Sequence, residues 1–511
     1  MVDPSRSSAP RGLVALAALA ALSAGCGTAP EPAQQPTVLL ISIDTLRADA
    51  LSCYGNPRLT SPVLDALAAD GALFRETLAH APSTAPSHAS LFTGVTPWTH
   101  RVTNVARGGQ GFFKLLPEFD TLAESYAARG YHTAAFTDGG PFNDNWALGQ
   151  GFELHDNAYE GVEAKVDKLL GHLDETADDA RPRLLFLHTY EVHQPFLPPV
   201  DVLARFRSDP DYDGIVRERE LELRAMIAKR GTEGALRAKH LVEDSDQYTA
   251  ADVAYLWDLY VAGVAHTDHE LGRLFDGLRE RGLYDELYVV VTSDHGEEFG
   301  EHGSFGHSQL HPETLRVPLI LRPPAGAPDD WRGRVVEERV GHVDLHATLL
   351  EVADAPATQS TGRSLFEGLR SGDFEQRAVF AETASGFNLG SAGRGFYGLD
   401  RAAYQGSRAL LQVQQPDGDL HSLFEPLPWL APGEVGPEPG AIQLVQPDAT
   451  PVVAGSADQL DRLRELLELG RQHLADAADL RRSLVGDSDG YGEFDEETRA
   501  QMEALGYIDG E

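Results

Sequence analysis

The sequence predicts an α/β fold in which a large, mostly parallel β-sheet is covered by helices. Short apolar runs rich in β-branched residues are typical of buried strands, and amphipathic helical patterns lie between them. This alternation favours a doubly wound sheet. Two of the apolar runs also end in side chains that can bind a metal. Because ligands gather at the carboxyl ends of strands in open α/β sheets, function is expected there.

The predicted elements follow the chain in order. Strands are predicted at residues 37–44, 132–138, 183–190, 286–296 and 316–321, and helices at 61–74 and 120–130. Residues 201–250 are charged and helix-prone, and we expect them to form an insertion over one face of the sheet. From about residue 411 the chain becomes rich in Pro, Gly and Gln, which predicts an irregular segment, and 458–474 predicts a late amphipathic helix.

The N-terminal segment resembles a secretion signal. Arg6 and Arg11 precede LVALAALAAL, and this run of ten apolar residues is too short to span a bilayer. The following LSAGCG resembles a bacterial lipoprotein signal, which would remove residues 1–25 and attach lipid to Cys26. Residues 26–36 would be a Pro-rich tether. We therefore expect a periplasmic or cell-surface lipoprotein held to the membrane only by its lipid, and plain secretion with nearby cleavage is the alternative.

Composition limits the partners. The chain has 79 acidic and 42 basic residues and a net charge of -37. This charge repels nucleic acid and anionic lipid surfaces, and it argues against a highly sulfated polymer as substrate. Cys26 and Cys53 are the only cysteines of the sequence, so a disulfide framework is excluded.

The segment SDHGEEFGEHGSFGHS, residues 293–308, carries the densest set of chemical groups. An apolar strand runs directly into Asp294 and His295, and a Gly-rich loop with His302 and His307 follows. Asp44 ends another predicted strand. Two carboxylates facing one crevice repel each other unless a cation lies between them, so a divalent metal of the zinc or manganese type is expected. A capped loop without metal is the alternative for the Asp-His pair.

Two further segments carry candidate groups. In APSTAPSHASLFTG, residues 81–94, Thr84 precedes a predicted helix whose N-terminus would stabilise an anion. The alternative is that Thr84 or Ser87 caps the helix. In HTYEVHQPF, alternation along an extended segment would point Glu191 and His193 to the same side, and a surface histidine beside a proline is the alternative.

Together these segments resemble the sulfatase family of the alkaline phosphatase superfamily. The resemblance implies one large sheet flanked by helices in a catalytic domain, residues 37–375, followed by a smaller C-terminal α+β subdomain, residues 376–511. It also implies hydrolysis of a small ester through a metal-bound nucleophile. The matching segments include LLISIDTLRAD, TSPVLDALAADG, TAPSHASLFTG, EVHQPF, SDHGEEFGEHGSFGH, HVDLHATLL and ALGYID.

The resemblance implies a role for each position. Asp44, Asp294, His295 and Thr84 would bind the metal, which could be Zn, Mn or Ca, and Thr84 would also be the nucleophile. His193 would contact the ester or its leaving oxygen, and His307 stands where many sulfatases have lysine. Three further residues are substrate-binding candidates: Asn104 as an anion contact, Glu191 at the position of a second-metal ligand in two-metal relatives, and His302 in the Gly-rich loop.

Three departures from the family pattern bear on the reaction. Sulfatases have Cys or Ser, any residue, Pro, any residue, then Arg, and the first residue becomes formylglycine; here the positions hold Thr84, Pro86 and His88. Thr45 replaces a second metal-binding aspartate, and His295 stands where calcium-using members often have asparagine. No formylglycine is expected. The sequence thus predicts a hydrolase of a sulfate or phosphate-type ester; a phosphoryl head-group transferase and a non-catalytic binding protein are the alternatives.

Overall fold

The computed structural model describes the chain from residue 35 to residue 504 with gaps. The described residues are 35–104, 111–230, 241, 245–307, 310–327, 331–375, 377–385, 398–404, 410–413, 442–445, 451–452, 472–473, 475–486 and 491–504. The predicted signal, Cys26 and most of the predicted 458–474 helix lie outside these residues.

The described strands fall into one large sheet and three smaller ones. They are β1 (Thr37–Ile43), β2 (Ala72–Leu78), β3 (Gly111–Phe113), β4 (His132–Phe136), β5 (Leu154–Asp156), β6 (Arg183–Thr189), β7 (Leu287–Thr292), β8 (Glu298–Phe299), β9 (Phe305–Gly306), β10 (Arg316–Arg322), β11 (Arg334–Gly341), β12 (Val379–Ser385), β13 (Gly398–Tyr404), β14 (Leu410–Val413), β15 (Ile442–Val445), β16 (Pro451–Val452) and β17 (Tyr491–Glu493).

The large sheet has eight strands in the order β11-β2-β10-β7-β1-β6-β4-β5. Every neighbouring pair is parallel except those that β10 makes with β2 and β7. The predicted mostly parallel sheet is therefore confirmed, and all five predicted strands belong to it. The central position of β1, between β6 and β7, brings the carboxyl ends of three parallel strands to one edge of the sheet.

Alternate residues of β1 belong to two hydrophobic cores, one on each face of the sheet. Leu39 and Ile41 pack into the core that includes the long helix Ala250–Glu280. Val38 and Leu40 pack into the core beneath the helices Thr84–Thr93 and His342–Val352. Burial on both faces explains why β1 is a continuous apolar run.

The helices confirm part of the predicted pattern. The 61–74 pattern is wrong at its end, because the helix stops at Ala69 and residues 72–78 form β2. The described part of residues 201–250 includes helices that pack on Ala250–Glu280, and an insertion over one face of the sheet stays a prediction. The α-helices are Pro62–Ala69, Thr84–Thr93, Pro97–His100, Leu122–Ala127, Val162–Glu175, Val200–Phe206, Ile215–Arg230, Ala250–Glu280, Pro312–Leu315, His342–Val352, Leu365–Ser371 and Glu496–Ala504, and residues 475–485 are also helical.

The C-terminal part contains more regular structure than its composition indicates. Strands β12 to β16 form an antiparallel five-stranded sheet, and β14, β15 and β16 lie in the segment predicted to be irregular. Residues Pro36–Glu511 group as one compact unit, and a subdomain boundary near residue 375 stays a prediction. Among the described helices, none has the length and apolarity needed to cross a membrane.

Candidate active site

The candidate site lies where β1, β6 and β7 end. Asp44 follows β1, and Asp294 and His295 follow β7, so the parallel pairing of these strands places the three side chains at one edge. Thr84 is the first residue of the helix Thr84–Thr93. All four side chains are fully buried. The structure therefore brings together every residue that the sequence predicted as a metal ligand.

The two carboxyl groups of the site have opposite pKa shifts. Burial and the nearby Asp294 raise the pKa of Asp44 well above its usual value. Burial would also raise the pKa of Asp294, but the imidazoles of His295 and His88 outweigh that effect, and its pKa is lowered. One ionised and one protonation-prone carboxyl is the arrangement expected when two buried acids face each other without a cation.

The site fits a divalent cation. Asp44, Asp294 and His295 each offer a ligand atom, and these atoms lie within 4.8 Å of one another. Asp44 Oδ1, Asp294 Oδ2 and His295 Nε2 are buried and have no hydrogen-bond partner among the described residues. His295 Nδ1 lies 3.0 Å from the Gly296 carbonyl oxygen, to which it donates, and this tautomer turns the Nε2 lone pair toward the site. Buried, unpaired ligand atoms of this kind are costly unless a cation satisfies them.

Two buried histidines flank the carboxylates, and sequence reasoning did not assign them to the site. His188 Nε2 donates to Asp44 Oδ2 at 3.2 Å. His88 Nδ1 lies 2.9 Å from the Thr84 carbonyl oxygen, and its Nε2 lies 2.9 Å from Ser42 Oγ. Burial lowers the pKa of both imidazoles, so they are neutral around pH 7. Asp294, His88 and His188 also bring ligand atoms within 4.8 Å of one another.

The backbone at Thr45 is strained next to the site. Its φ of 55° lies in the left-handed region, where a β-branched residue is unfavourable. Tyr260 Oη donates to the Thr45 carbonyl oxygen at 2.7 Å and holds this conformation. The turn directs the Thr45 amide at Asp294 Oδ1, 3.3 Å away. Thr45 thus contributes its backbone to the site, although its side chain replaces the aspartate expected from the family pattern.

Thr84 begins a helix in which it has no capping role. Ser83 precedes the helix in an extended conformation, and Pro86 is tolerated in the first turn because amides there lack intrahelical acceptors. Thr84 Oγ1 donates to Asp44 Oδ2 at 3.2 Å, and Ser87 Oγ donates to the Asp294 carbonyl oxygen at 2.6 Å. The capping alternative is therefore wrong for both hydroxyls, and Thr84 faces the predicted metal ligands.

His193 and His307 lie beside the candidate ligands. The His307 ring lies 4.5 Å from the His295 ring and 5.1 Å from the His193 ring, measured between centroids. His307 Nδ1 is 3.1 Å from Glu297 Oε2, a fully buried carboxylate. His193 Nδ1 donates to the Gln194 carbonyl oxygen at 2.8 Å. Both imidazoles are oriented by these contacts within the site.

Asn104 lies at the start of the helix Thr84–Thr93. Its Oδ1 accepts a hydrogen bond from the Ala85 amide at 2.7 Å. Its Nδ2 is buried and has no hydrogen-bond partner among the described residues. A buried amide donor in this position could meet an anionic oxygen, and the anion contact of Asn104 stays a prediction.

Glu191 and His302 lie away from this group. Residues 191–193 form a turn, in which the His193 amide donates to the Tyr190 carbonyl at 2.9 Å, so the expectation that Glu191 and His193 face the same side is wrong. Glu191 lies beside Gly161, with Oε1 3.9 Å from His266 Nε2. His302 contacts Glu313 instead, with Nε2 3.0 Å from its Oε2. Neither residue has a described contact with Asp44, Asp294 or His295.

The residues missed from the sequence had weak local signals. His188 stands inside an apolar strand, where its register partner on β1 is Ser42. Glu297 is one of two adjacent acidic residues, and His88 stands in a helix at the position where the sulfatase pattern has arginine. These local signals do not identify a partner for either side chain. The strand order supplies that partner.

Comparisons with known proteins identify the family. The family model described as Sulfatase matches residues 36–355. The Uncharacterized sulfatase YidJ of Escherichia coli (strain K12) is 25% identical over 375 residues, which cover 63% of this chain and 68% of that protein. The Multifunctional alkaline phosphatase superfamily protein PehA of Trinickia caryophylli is 26% identical over 399 residues, which cover 66% of this chain and 77% of that protein.

A solved structure supports the fold. The phosphonate monoester hydrolase of Agrobacterium radiobacter matches with a TM-score of 0.64 and 22% identity, covering 86% of this chain and 96% of that chain. At this identity the likeness establishes the shared architecture of sheet and helices.

Proposed function

The chain belongs to the sulfatase family of ester hydrolases, and from this premise we propose that it cleaves a phosphate-type ester, a phosphodiester or a phosphonate monoester, with Thr84 as the unmodified nucleophile. The observation that carries the proposal is the position of Thr84. Its hydroxyl is fully buried at the start of a helix and lies 3.2 Å from Asp44 Oδ2. A helix N-terminus stabilises the negative charge that develops on the attacking oxygen.

Thr84 favours phosphorus over sulfur for a chemical reason. Formylglycine lets a sulfatase release sulfate by collapse of its hydrate to an aldehyde, so that no water attacks sulfur. A threonine cannot form that aldehyde. Its hydroxyl can still displace an alcohol from phosphorus, and water can then release the phosphoryl group from threonine by a second in-line displacement.

The chain's own residues perform the remaining steps. Thr84 Oγ1 gives its proton to Asp44 Oδ2 and forms a bond to phosphorus as the bond to the leaving oxygen breaks, and His193 or His307, as an imidazolium, gives that oxygen its proton. Asn104 Nδ2 holds a non-bridging oxygen of the ester. Water then attacks phosphorus and gives a proton to the histidine that had lost one, the bond to Thr84 Oγ1 breaks, and Asp44 returns the proton that restores the Thr84 hydroxyl.

Asp44, Asp294, His295 and Thr84 would hold the divalent cation in this proposal. When bound, the cation would lower the pKa of the Thr84 hydroxyl and offset the charge of the incoming anion. The unpaired Asp44 Oδ1, Asp294 Oδ2 and His295 Nε2 support this assignment. His188 and His88, both neutral, would keep the carboxylates in position.

Two further observations favour the proposal. A relative that is 26% identical is described as a multifunctional alkaline phosphatase superfamily protein, which is compatible with a non-sulfate substrate. The N-terminal pattern through Cys26 supports a periplasmic or cell-surface location, where the protein would meet small esters.

A substrate panel tests the proposal. One metal-loaded preparation is assayed with an aryl sulfate, an aryl phosphate monoester, a diaryl phosphate and an aryl phosphonate monoester that share one leaving group. The diaryl phosphate or the phosphonate should give the highest kcat/KM, and peptide mass spectrometry should find residue 84 as plain threonine. Fastest cleavage of the aryl sulfate, or a formylglycine mass at residue 84, would show that the ester class is wrong.

A further inference from the structure

A second group of metal-binding side chains lies next to the active-site loop. Glu298, His302 and His311 each offer a ligand atom, and these atoms lie within 4.8 Å of one another. His311 Nδ1 is 2.7 Å from Glu298 Oε1, and His302 Nε2 is 3.0 Å from Glu313 Oε2. The two imidazole rings are 3.9 Å apart between centroids. Two imidazoles and the Glu298 carboxylate therefore meet in one place, and the Glu313 carboxylate contacts one of these imidazoles.

We propose that Glu298, His302, His311 and Glu313 bind a structural Zn²⁺, at a site distinct from the Asp44–Asp294–His295 group. With Glu313, which contacts His302, as the fourth ligand, nitrogen and oxygen atoms of four side chains would make the closed tetrahedral set of a structural zinc site. With metal-ligand distances of about 2.0–2.2 Å, neighbouring ligand atoms stand roughly 3.3–3.6 Å apart. The His311–Glu298 contact of 2.7 Å and the His302–Glu313 contact of 3.0 Å would each widen by less than an ångström, and the ligand atoms of Glu298, His302 and His311 lie within 4.8 Å of one another.

The local fold directs these four side chains away from the catalytic group. Glu297 and Glu298 are adjacent in the chain, but their carboxylates contact different side chains. Glu297 contacts His307, whereas Glu298 contacts His311 and Ser304. Neighbouring side chains of an extended segment point to opposite faces, so the hairpin of β8 and β9 separates the two groups. The proposed zinc site therefore shares no ligand with the catalytic one.

The side chains of this cluster are more buried than those of an ordinary ion-pair network at the surface. The side chain of Glu298 is 1% exposed, and those of His302, His311 and Glu313 are 19%, 17% and 20% exposed. A carboxylate buried to this extent needs a cation close by. A zinc ion bound by Glu298 and His311 would supply that positive charge.

The position of the cluster indicates what the ion would stabilise. The Gly296 amide donates to the Thr314 carbonyl oxygen at 2.8 Å, and the Glu297 amide donates to the Glu313 carbonyl oxygen at 3.1 Å. These bonds join the loop that follows His295 to the segment that carries His311 and Glu313. An ion held by both segments would fasten that loop, and with it the Glu297 carboxylate that orients His307.

The test measures zinc in a protein whose proposed catalytic metal ligand has been removed. Full-length Asp294→Ala is stripped with a chelator and dialysed against Zn²⁺, and bound metal is counted by elemental analysis. It should bind one Zn²⁺ that raises its thermal unfolding midpoint. Adding His311→Asn or His302→Asn should weaken binding at least about 100-fold, more than loss of an outer-shell partner costs. Asp294→Ala/His269→Asn, which alters an exposed histidine, is the matched control and should bind as the parent does.

Cobalt gives a second measurement on the same proteins. Co²⁺ in a four-ligand site of Asp294→Ala should show the intense visible absorption of tetrahedral coordination, and the His311→Asn and His302→Asn forms should lack it. Circular dichroism checks that each form is folded, and Glu313→Gln replaces any that is not. Absence of bound zinc in folded Asp294→Ala, or equal binding in the His302 and His311 variants, would overturn the proposal and leave two histidine-glutamate ion pairs. Neither result depends on turnover, so the proposed reaction is tested separately.

Discussion

Thr84 Oγ1 and Asp44 Oδ2 lie 3.2 Å apart, although 40 positions separate the two residues in the chain. Asp44 ends the central strand of the sheet, and Thr84 begins the helix that packs on one face of that strand. The contact joins the proposed nucleophile to a proposed metal ligand. It gives the first prediction its physical basis, because the hydroxyl is already directed at the group that would help to ionise it.

Removing the Thr84 hydroxyl should abolish turnover. Thr84→Ala should lower kcat/KM by about 10³-fold or more, since the covalent route is lost. Thr84→Ser keeps a hydroxyl and should retain most of the activity. Thr93→Ser, in the same helix, is the matched control and should behave as the parent. Steady-state assays with the best substrate of the panel compare kcat/KM of these three variants with that of the parent. Undiminished activity in Thr84→Ala would exclude Thr84 as nucleophile.

Removing the Asp294 carboxylate should lower metal content and activity together. Asp294→Ala deletes one proposed ligand and leaves Asp44 and His295 as a weakened site. We expect a loss of one divalent ion per chain by elemental analysis, with a parallel loss of turnover. The exposed Asp276 provides the control, Asp276→Ala, which should change neither quantity. The assignment fails if Asp294→Ala keeps the full metal content of the parent protein.

Leaving-group dependence should identify the proton donor. If His307 protonates the leaving oxygen, His307→Ala should slow poor leaving groups far more than activated aryl ones, since only the former need a proton. Glu297→Gln should produce a weaker form of the same effect, because Glu297 orients His307 at 3.1 Å. Rates over a series of substituted phenol esters give, for each variant, the slope of log kcat/KM against the pKa of the leaving phenol. An unchanged slope in His307→Ala, with a steeper one in His193→Ala, would assign the role to His193.

Stability should fall as pH rises through the titration of Glu191. Burial, and then the nearby Asp138, raise the pKa of Glu191 to about 7. The pKa of a glutamate in the unfolded chain is about 4.3. Between the two pKa values the folded state therefore binds more protons than the unfolded state, and the folded protein loses stability as pH increases. Burial lowers the pKa of the neighbouring His266, which is therefore neutral near pH 7 and does not offset the charge.

Glu191→Gln should remove this pH dependence. Relative to the parent, the free energy of unfolding of the variant should rise by up to about 3 kcal/mol between pH 5 and pH 8. Urea unfolding at both values measures the difference, and Glu163→Gln, at an exposed glutamate of the same region, should show no such gain. A constant difference between parent and Glu191→Gln across this range would mean that the Glu191 pKa is ordinary.

Cys26 should hold the protein to a membrane. The apolar run ending in AGC predicts acylation of this residue, and more than one acyl chain gives stable anchoring. Cell fractionation should find the parent with the membranes and Cys26→Ala in the soluble fraction. Cys53→Ala, at the other cysteine, should fractionate with membranes like the parent. Equal solubility of the parent and Cys26→Ala would contradict the anchor.

Sequence patterns predicted the central strands better than the outer ones. β1, β6 and β7 are buried on both faces, and their continuous apolar runs reveal them. Residues 72–74, at the start of β2, continue the helical pattern of 61–74, and Arg75 and Glu76 interrupt the apolar residues of the strand. β11 is an edge strand with several charged residues and has no clear apolar signal. Its position depends on pairing with β2, which no local pattern records.

The sequence by itself determined which chemical groups stand at strand and helix ends: Asp44, Asp294, His295 and Thr84. This was possible because residue type and local periodicity fix where an element begins and ends. The tertiary structure decided which other groups join them. His188 reaches Asp44 because β6 pairs with β1, and the turn after β6 separates Glu191 from His193. Strand order and desolvation are long-range properties, since they arise from packing between segments distant in the chain, and they also set the neutral state of His88.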